Sequence, residues 1–138
     1  MDEQAMAEYI SASFQNVETL DSMGYKFYFY GDDHRLPFAT IACNGNEYEQ
    51  ASKLERPGTY RLNIGVSKWT FRDLFGAGEV SLEDYDFAEL NRLMPHPDYW
   101  KQFFVCILSP EGENQTTVES LLAEAHDLSE KRYKKLHS

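Results

Sequence analysis

The chain has 138 residues, 42% of them hydrophobic and 26% charged. That balance fits one folded domain with enough chain to build a core without disulfides, and it excludes a disordered protein. Thirteen Lys and Arg against 23 Asp and Glu give a net charge of −10, a field that repels phosphate backbones, so no nucleic-acid partner is expected. No apolar run reaches the ~20 residues of a membrane-crossing helix. The acidic start MDEQAMAEYI lacks the basic-then-apolar order of a signal peptide, and the expected compartment is the cytoplasm.

Met6, Ile10 and Phe14 recur at helical spacing and predict a first helix over residues 2–14, with Asp2 and Glu3 at the positive end of its dipole. Val17 to Met23 reads as a short strand. Tyr25 to Tyr30 (YKFYFY) is a firmer strand, aromatic on both faces. Gly31-Asp32-Asp33 turns the chain, and Pro37 to Cys43 returns as the second arm of an antiparallel hairpin. Residues 46–58 are polar and read as loop.

Tyr60 to Val66 alternates apolar and polar positions and predicts a half-apolar strand. Ser67 is an N-cap type, Phe71, Leu74 and Phe75 form a helical stripe, and Gly76 suits the residue just past the helix. Phe87, Leu90, Leu93 and Met94 have helix-like spacing, stopped by Pro95-His96-Pro97. Phe103 to Leu108 reads as a central strand. Thr116 with Glu119 forms a capping box for a last helix, whose stripe runs Val118, Leu121, Leu122, Ala125, Leu128, Arg132 and Leu136. The order predicts an α+β fold: a mostly antiparallel sheet with N- and C-terminal helices packed on one face. Cys43 and Cys106 read as reduced, buried thiols, able to pair only if their strands are neighbours.

Several stretches together resemble a bacterial family classed only as a domain of unknown function. They are FATI, S-x-L-x-RPG-x-YRLNIGVSK-x-TF-x-x-LFG, L-x-PHP-x-Y, FVCIL-x-P and LL-x-EA, and the likeness runs from about Lys26 to about Arg132. Trp100 and the Asn/Gly loop after Cys43 depart from the pattern. The resemblance implies no activity and no cofactor. A looser one, to MmcQ/YjbR-like proteins, implies a CyaY-like sandwich and says nothing of function.

Two groups of residues are candidates for a site. Arg61 and Asn63 point away from Leu62 and Ile64 on their strand, and Arg56 and Lys68 lie nearby in sequence, Lys68 at a helix start where backbone N–H groups favour anions. Arg56, Arg61, Asn63 and Lys68 could therefore bind a small anionic ligand or a protein partner, with Arg as a bidentate clamp. In the competing interpretation Arg56 and Arg61 pair with acids of the 79–89 arm and pin it down. The second candidate is His96, with Tyr99, on a Pro-flanked loop, where an imidazole could work as acid or base on an anionic substrate. Against it, His96 could simply bond backbone and steady its turn.

Asp32-Asp33-His34 carries metal-ligand types, but such residues also make hairpin turns, and no metal is assigned. GxSxG, HExxH, phosphate-loop and GxGxxG motifs are missing. The expectation is a binding or interaction module, with a small enzyme built on His96 as the alternative.

Overall fold

In the computed structural model, which describes residues 1–138, helix α1 (Glu3–Ser13) opens the chain. Asp2 caps it by accepting the Ala5 N–H at 2.8 Å, so one of the donors orphaned at a helix start is satisfied. Strands β1 (Val17–Ser22) and β2 (Tyr25–Tyr30) form a hairpin. Its two turn residues, Met23 and Gly24, both have positive φ (53° and 79°), as the tightest hairpin loops require. Strand β3 (Ala39–Ala42) pairs with β2, and β4 (Arg61–Gly65) with β3.

Helix α2 (Lys68–Phe75) follows directly, capped by the Ser67 hydroxyl on the Thr70 N–H and ended at Gly76, whose φ is 92°. The two-residue strand β5 (Met94–Pro95), strand β6 (Phe104–Leu108) and helix α3 (Glu113–Leu136) complete the chain. All ladders are antiparallel, and the sheet order is β1-β2-β3-β4-β6-β5. The fold is α+β, with terminal helices against one face of the sheet. No helix is long and apolar enough to cross a membrane.

The strands divide their side chains between two unlike layers. Tyr28, Ala39, Ile41, Leu62, Ile64, Val105 and Ile107 face the helices and meet Met6, Ile10, Phe71, Val118, Leu121, Leu122 and Ala125 in the main core. The opposite face carries Ala42, Cys106 and Leu108, packed with Leu54 from the segment between β3 and β4 and with Met94 of the edge strand β5. Loops, not helices, cover this second face.

Three expectations change. Phe87 to Met94 does not form a helix. Asn91 takes a left-handed φ of 56°, Leu90 bridges to Leu108, and Met94 pairs with Cys106, so the apolar residues there serve a sheet edge. Helix α3 starts at Glu113, ahead of the Thr116 capping box. Asn114 Nδ2 bonds the Asn91 carbonyl at 2.8 Å and holds that extra turn in place. Strand β6 is not central, since only the short β5 lies beyond it. Both cysteines are free: Cys106 is buried on β6, whereas Cys43, just past the end of β3, is only partly buried, and β4 lies between those two strands.

Candidate functional site

β4 alternates strictly, so Arg61 and Asn63 emerge on the loop-covered face while Leu62 and Ile64 enter the main core. Thr40 stands opposite Asn63 in the β3–β4 register, and Asn63 Nδ2 donates to its Oγ1 at 2.9 Å. Arg61 is 1% exposed, although it is a permanent cation. Such burial is tolerated only with a full set of partners. Its Nη2 meets Glu49 Oε2 at 2.9 Å, its Nε donates to Asn63 Oδ1 at 2.9 Å, and its Nη1 donates to Ser52 Oγ at 3.0 Å. Tyr25 donates its hydroxyl to the other oxygen of Glu49. Burial first, and this bond second, raise the Tyr25 pKa.

The Pro95-His96-Pro97 segment brings a further group to Arg61. β5 places His96 beside it, and the chain then turns back over the ring. His96 Nδ1 accepts the backbone N–H groups of Asp98 and Tyr99, each at 3.0 Å. Its Nε2 lies 3.4 Å from Arg61 Nη2. The imidazole is 3% exposed, and its pKa is held down to about 3, first by burial and then by the neighbouring guanidinium. At neutral pH it is uncharged.

These groups form the floor of a cavity of about 600 Å³, a size in the usual range of small-molecule sites. Thr40, Arg61, Asn63 and His96 lie at the bottom, and the rings of Tyr25, Phe27 and Phe104 make walls. The exposed side chains of Leu36, Tyr48, Asp98, Tyr99 and Gln102 reach the mouth.

Of the six candidate residues, the structure gathers four around one space: Arg61, Asn63, His96 and Tyr99. Arg56 and Lys68 are elsewhere. Arg56 spends its guanidinium on the backbone carbonyls of Ser52, Lys53 and Ala88, so it does pin the acidic arm, though through the main chain and not through a carboxylate. Lys68 is exposed on α2. The start of that helix already has an anion from within the chain: Glu124 of α3 accepts the Ser67 N–H at 2.9 Å and the Thr70 hydroxyl at 2.6 Å. Asp32, Asp33 and His34 turn to three different partners, Tyr133, Arg35 and Glu18, and do not converge.

Glu49, Ser52, Thr40 and Phe104 are absent from the sequence-based candidates, whereas Tyr25 and Phe27 belong to an aromatic set that the sequence offers as pocket wall, interface or core. Thr40 had a signal, since the alternation of β3 and β4 puts it on Asn63's face. Glu49 had none beyond being an acid in a polar loop.

One family model, described as "Family of unknown function (DUF6194)", matches residues 1–138. No curated protein and no solved structure matches the chain.

Proposed function

The chain belongs to the DUF6194 family, whose function is unassigned, and we propose that it is a small-molecule binding protein whose ligand enters the cavity on the loop-covered face of the sheet. The observation that carries this reading is the buried polar floor beneath a half-open aromatic chamber. A cation and an imidazole are held almost out of solvent by dedicated partners, an arrangement that costs stability and that an apolar core would not need. Concave, largely apolar chambers with a few convergent polar groups are the usual form of ligand sites.

The charge of the ligand needs revising from the anion expected of a bare arginine. Glu49 supplies the negative charge such a ligand would have brought, and Arg61 beside it forms a neutral pair. Asp98 at the mouth adds a further negative group. Binding is favoured over turnover by the state of the groups present. His96 does not titrate near neutrality, and Cys106, the thiol behind Asn63, is fully buried and pushed up to about 12 by that burial. Helix–sheet–helix order supports the MmcQ/YjbR-like resemblance as a proposal about architecture alone.

The test is a fragment screen read by backbone amide NMR of the full chain. Hits are expected to shift the amides of Thr40, Asn63, His96 and Phe104 together. Replacing the rim residue Tyr99, 57% exposed, by Ala should weaken those hits several-fold while leaving the rest of the spectrum unchanged. A screen whose hits all map to α2 or to the C-terminal half of α3, or that yields no hits, would sink the reading.

A further inference from the structure

We propose that the cavity holds a seat for one carbonyl oxygen, made by the Nε2–H of His96 and an unused Nη2–H of Arg61, and that its ligand is an uncharged, flat carbonyl compound of the aromatic-amide type. This rests on the ligand-binding reading above and narrows it to a chemical class.

The tautomer follows from the backbone. Nδ1 of His96 accepts two N–H groups, from Asp98 and Tyr99, and therefore carries no proton. A neutral imidazole has one N–H, so it sits on Nε2. That nitrogen's one close polar neighbour is Arg61 Nη2 at 3.4 Å, and a guanidinium has no lone pair to offer. The contact is thus donor against donor.

Nη2 is ion-paired with Glu49 Oε2 at 2.9 Å, and its other polar neighbour is the protonated Nε2 of His96, which cannot accept from it. Two N–H groups, on side chains 1% and 3% exposed, converge on the same region and share no acceptor between them. Buried donors are nearly always satisfied, so an oxygen belongs there.

The surroundings select which oxygen. Arg61 is neutralised by Glu49, so a carboxylate or phosphate would gain little net attraction and would meet both Glu49 and Asp98. A neutral carbonyl accepts two hydrogen bonds in its plane without bringing a charge. The walls favour a flat partner. Tyr25 and Phe27 stand 5.7 Å apart on one strand, and Tyr99 and Phe104 meet edge to face at 6.4 Å on the other side of the floor.

Three probes with one ring separate the possibilities: benzamide, benzoate and benzylamine, titrated into the ¹⁵N-labelled full chain. Long-range ¹H–¹⁵N correlation of the imidazole should show the Nε2–H tautomer before any addition. Benzamide should move the His96 Nε2–H resonance, benzoate should bind at least about three-fold more weakly, and benzylamine should not bind there. His96→Gln, which keeps an N–H near the Nε2 position, should retain benzamide within about three-fold. His96→Leu should lose about ten-fold, the equivalent of ~1.4 kcal/mol.

An Nδ1–H tautomer, a preference for benzoate, or equal benzamide affinity in His96→Leu would overturn the seat, even where the fragment screen still maps ligands to the cavity. Benzamide that leaves the His96 resonance unmoved, because only water occupies the seat, would overturn it too. If His96→Leu does not fold, the tautomer and the three-probe comparison on the unsubstituted chain decide.

Discussion

The two faces of the sheet are made by alternate residues of the same strands, yet they are buried by opposite means. On the helix side, Leu62 and Ile64 of β4 meet α1 and α3, and apolar area removed from water is enough. On the loop side, Arg61 and Asn63 from that same strand are as deeply buried, and each needs named hydrogen-bond partners. Helices can close over an apolar face completely. The loops over the other face leave a chamber, and the polar groups that could not be covered by packing are covered by one another. The apolar half and the half proposed to bind a ligand are thus separated by the thickness of one strand.

The sharpest way to break that comparison is Arg61→Leu. If the loop face is held by the network, removing the cation leaves the Glu49 carboxylate without its counter-ion and Asn63 Oδ1 and Ser52 Oγ without their donor. The expected loss is about 3–5 kcal/mol, read from urea unfolding, with benzamide binding abolished wherever the chain stays folded. A loss below about 1 kcal/mol would mean that Arg61 is an ordinary surface cation and that the two faces do not differ as described.

The next largest effect is in pH. The folded pKa of His96 lies near 3, against 6.5 for a free imidazole, because burial and Arg61 disfavour its charged form. The unfolded chain therefore binds the proton more readily between those values. The stability that neutral His96 contributes is whole above pH 6.5 and falls by about 1.4 kcal/mol per pH unit below it, down towards the folded value. From pH 6.5 to 5 the chain should lose roughly 2 kcal/mol more than His96→Gln, which has nothing to titrate there. Parallel stability curves for the two proteins would show that the imidazole is free to charge, and would remove the fixed tautomer with it.

How much of this was legible follows the range of each interaction. The alternation of Tyr60 to Val66, the Ser67 cap and the Gly76 stop depend on neighbours in sequence, and they could be read directly. Arg61 and Asn63 were visible as residues pointing away from the core, and His96 as an imidazole on a rigid loop. Their meeting was not visible, because β5 is two residues long and sits at the sheet edge only through Cys106 and Val105. Phe87 to Met94 misled for a related reason: an apolar spacing that suits a helix also suits a segment lying across a sheet edge. Glu49 and Glu124 were hidden because a carboxylate carries no mark of its partner, and Glu124 finds Ser67 from 57 residues away.

Glu124→Ala tests the helix side with a smaller effect. Its carboxylate closes the start of α2 by accepting from Ser67 and Thr70, so its loss should cost about 1 kcal/mol while leaving ligand binding unchanged. A change in benzamide affinity in that variant would show that the two faces communicate through β4.

The smallest expected effect comes from Lys68→Ala, and it bears on where the sequence pointed first. Lys68 is exposed, has no ion-pair partner, and is outside the cavity lining. The helix start beside it is already bonded to Glu124. Stability should change by no more than about 0.5 kcal/mol, and the fragment hits on the loop face should be untouched. Arg61→Leu and Lys68→Ala thus remove the same charge from positions seven residues apart in one strand–helix unit, Arg61 and Lys68. If basic character itself drew the ligand, the two would weaken binding alike. If burial among fixed partners makes the site, only the first will, because a cation in open solvent is screened within about 10 Å and offers no geometry to a neutral ligand.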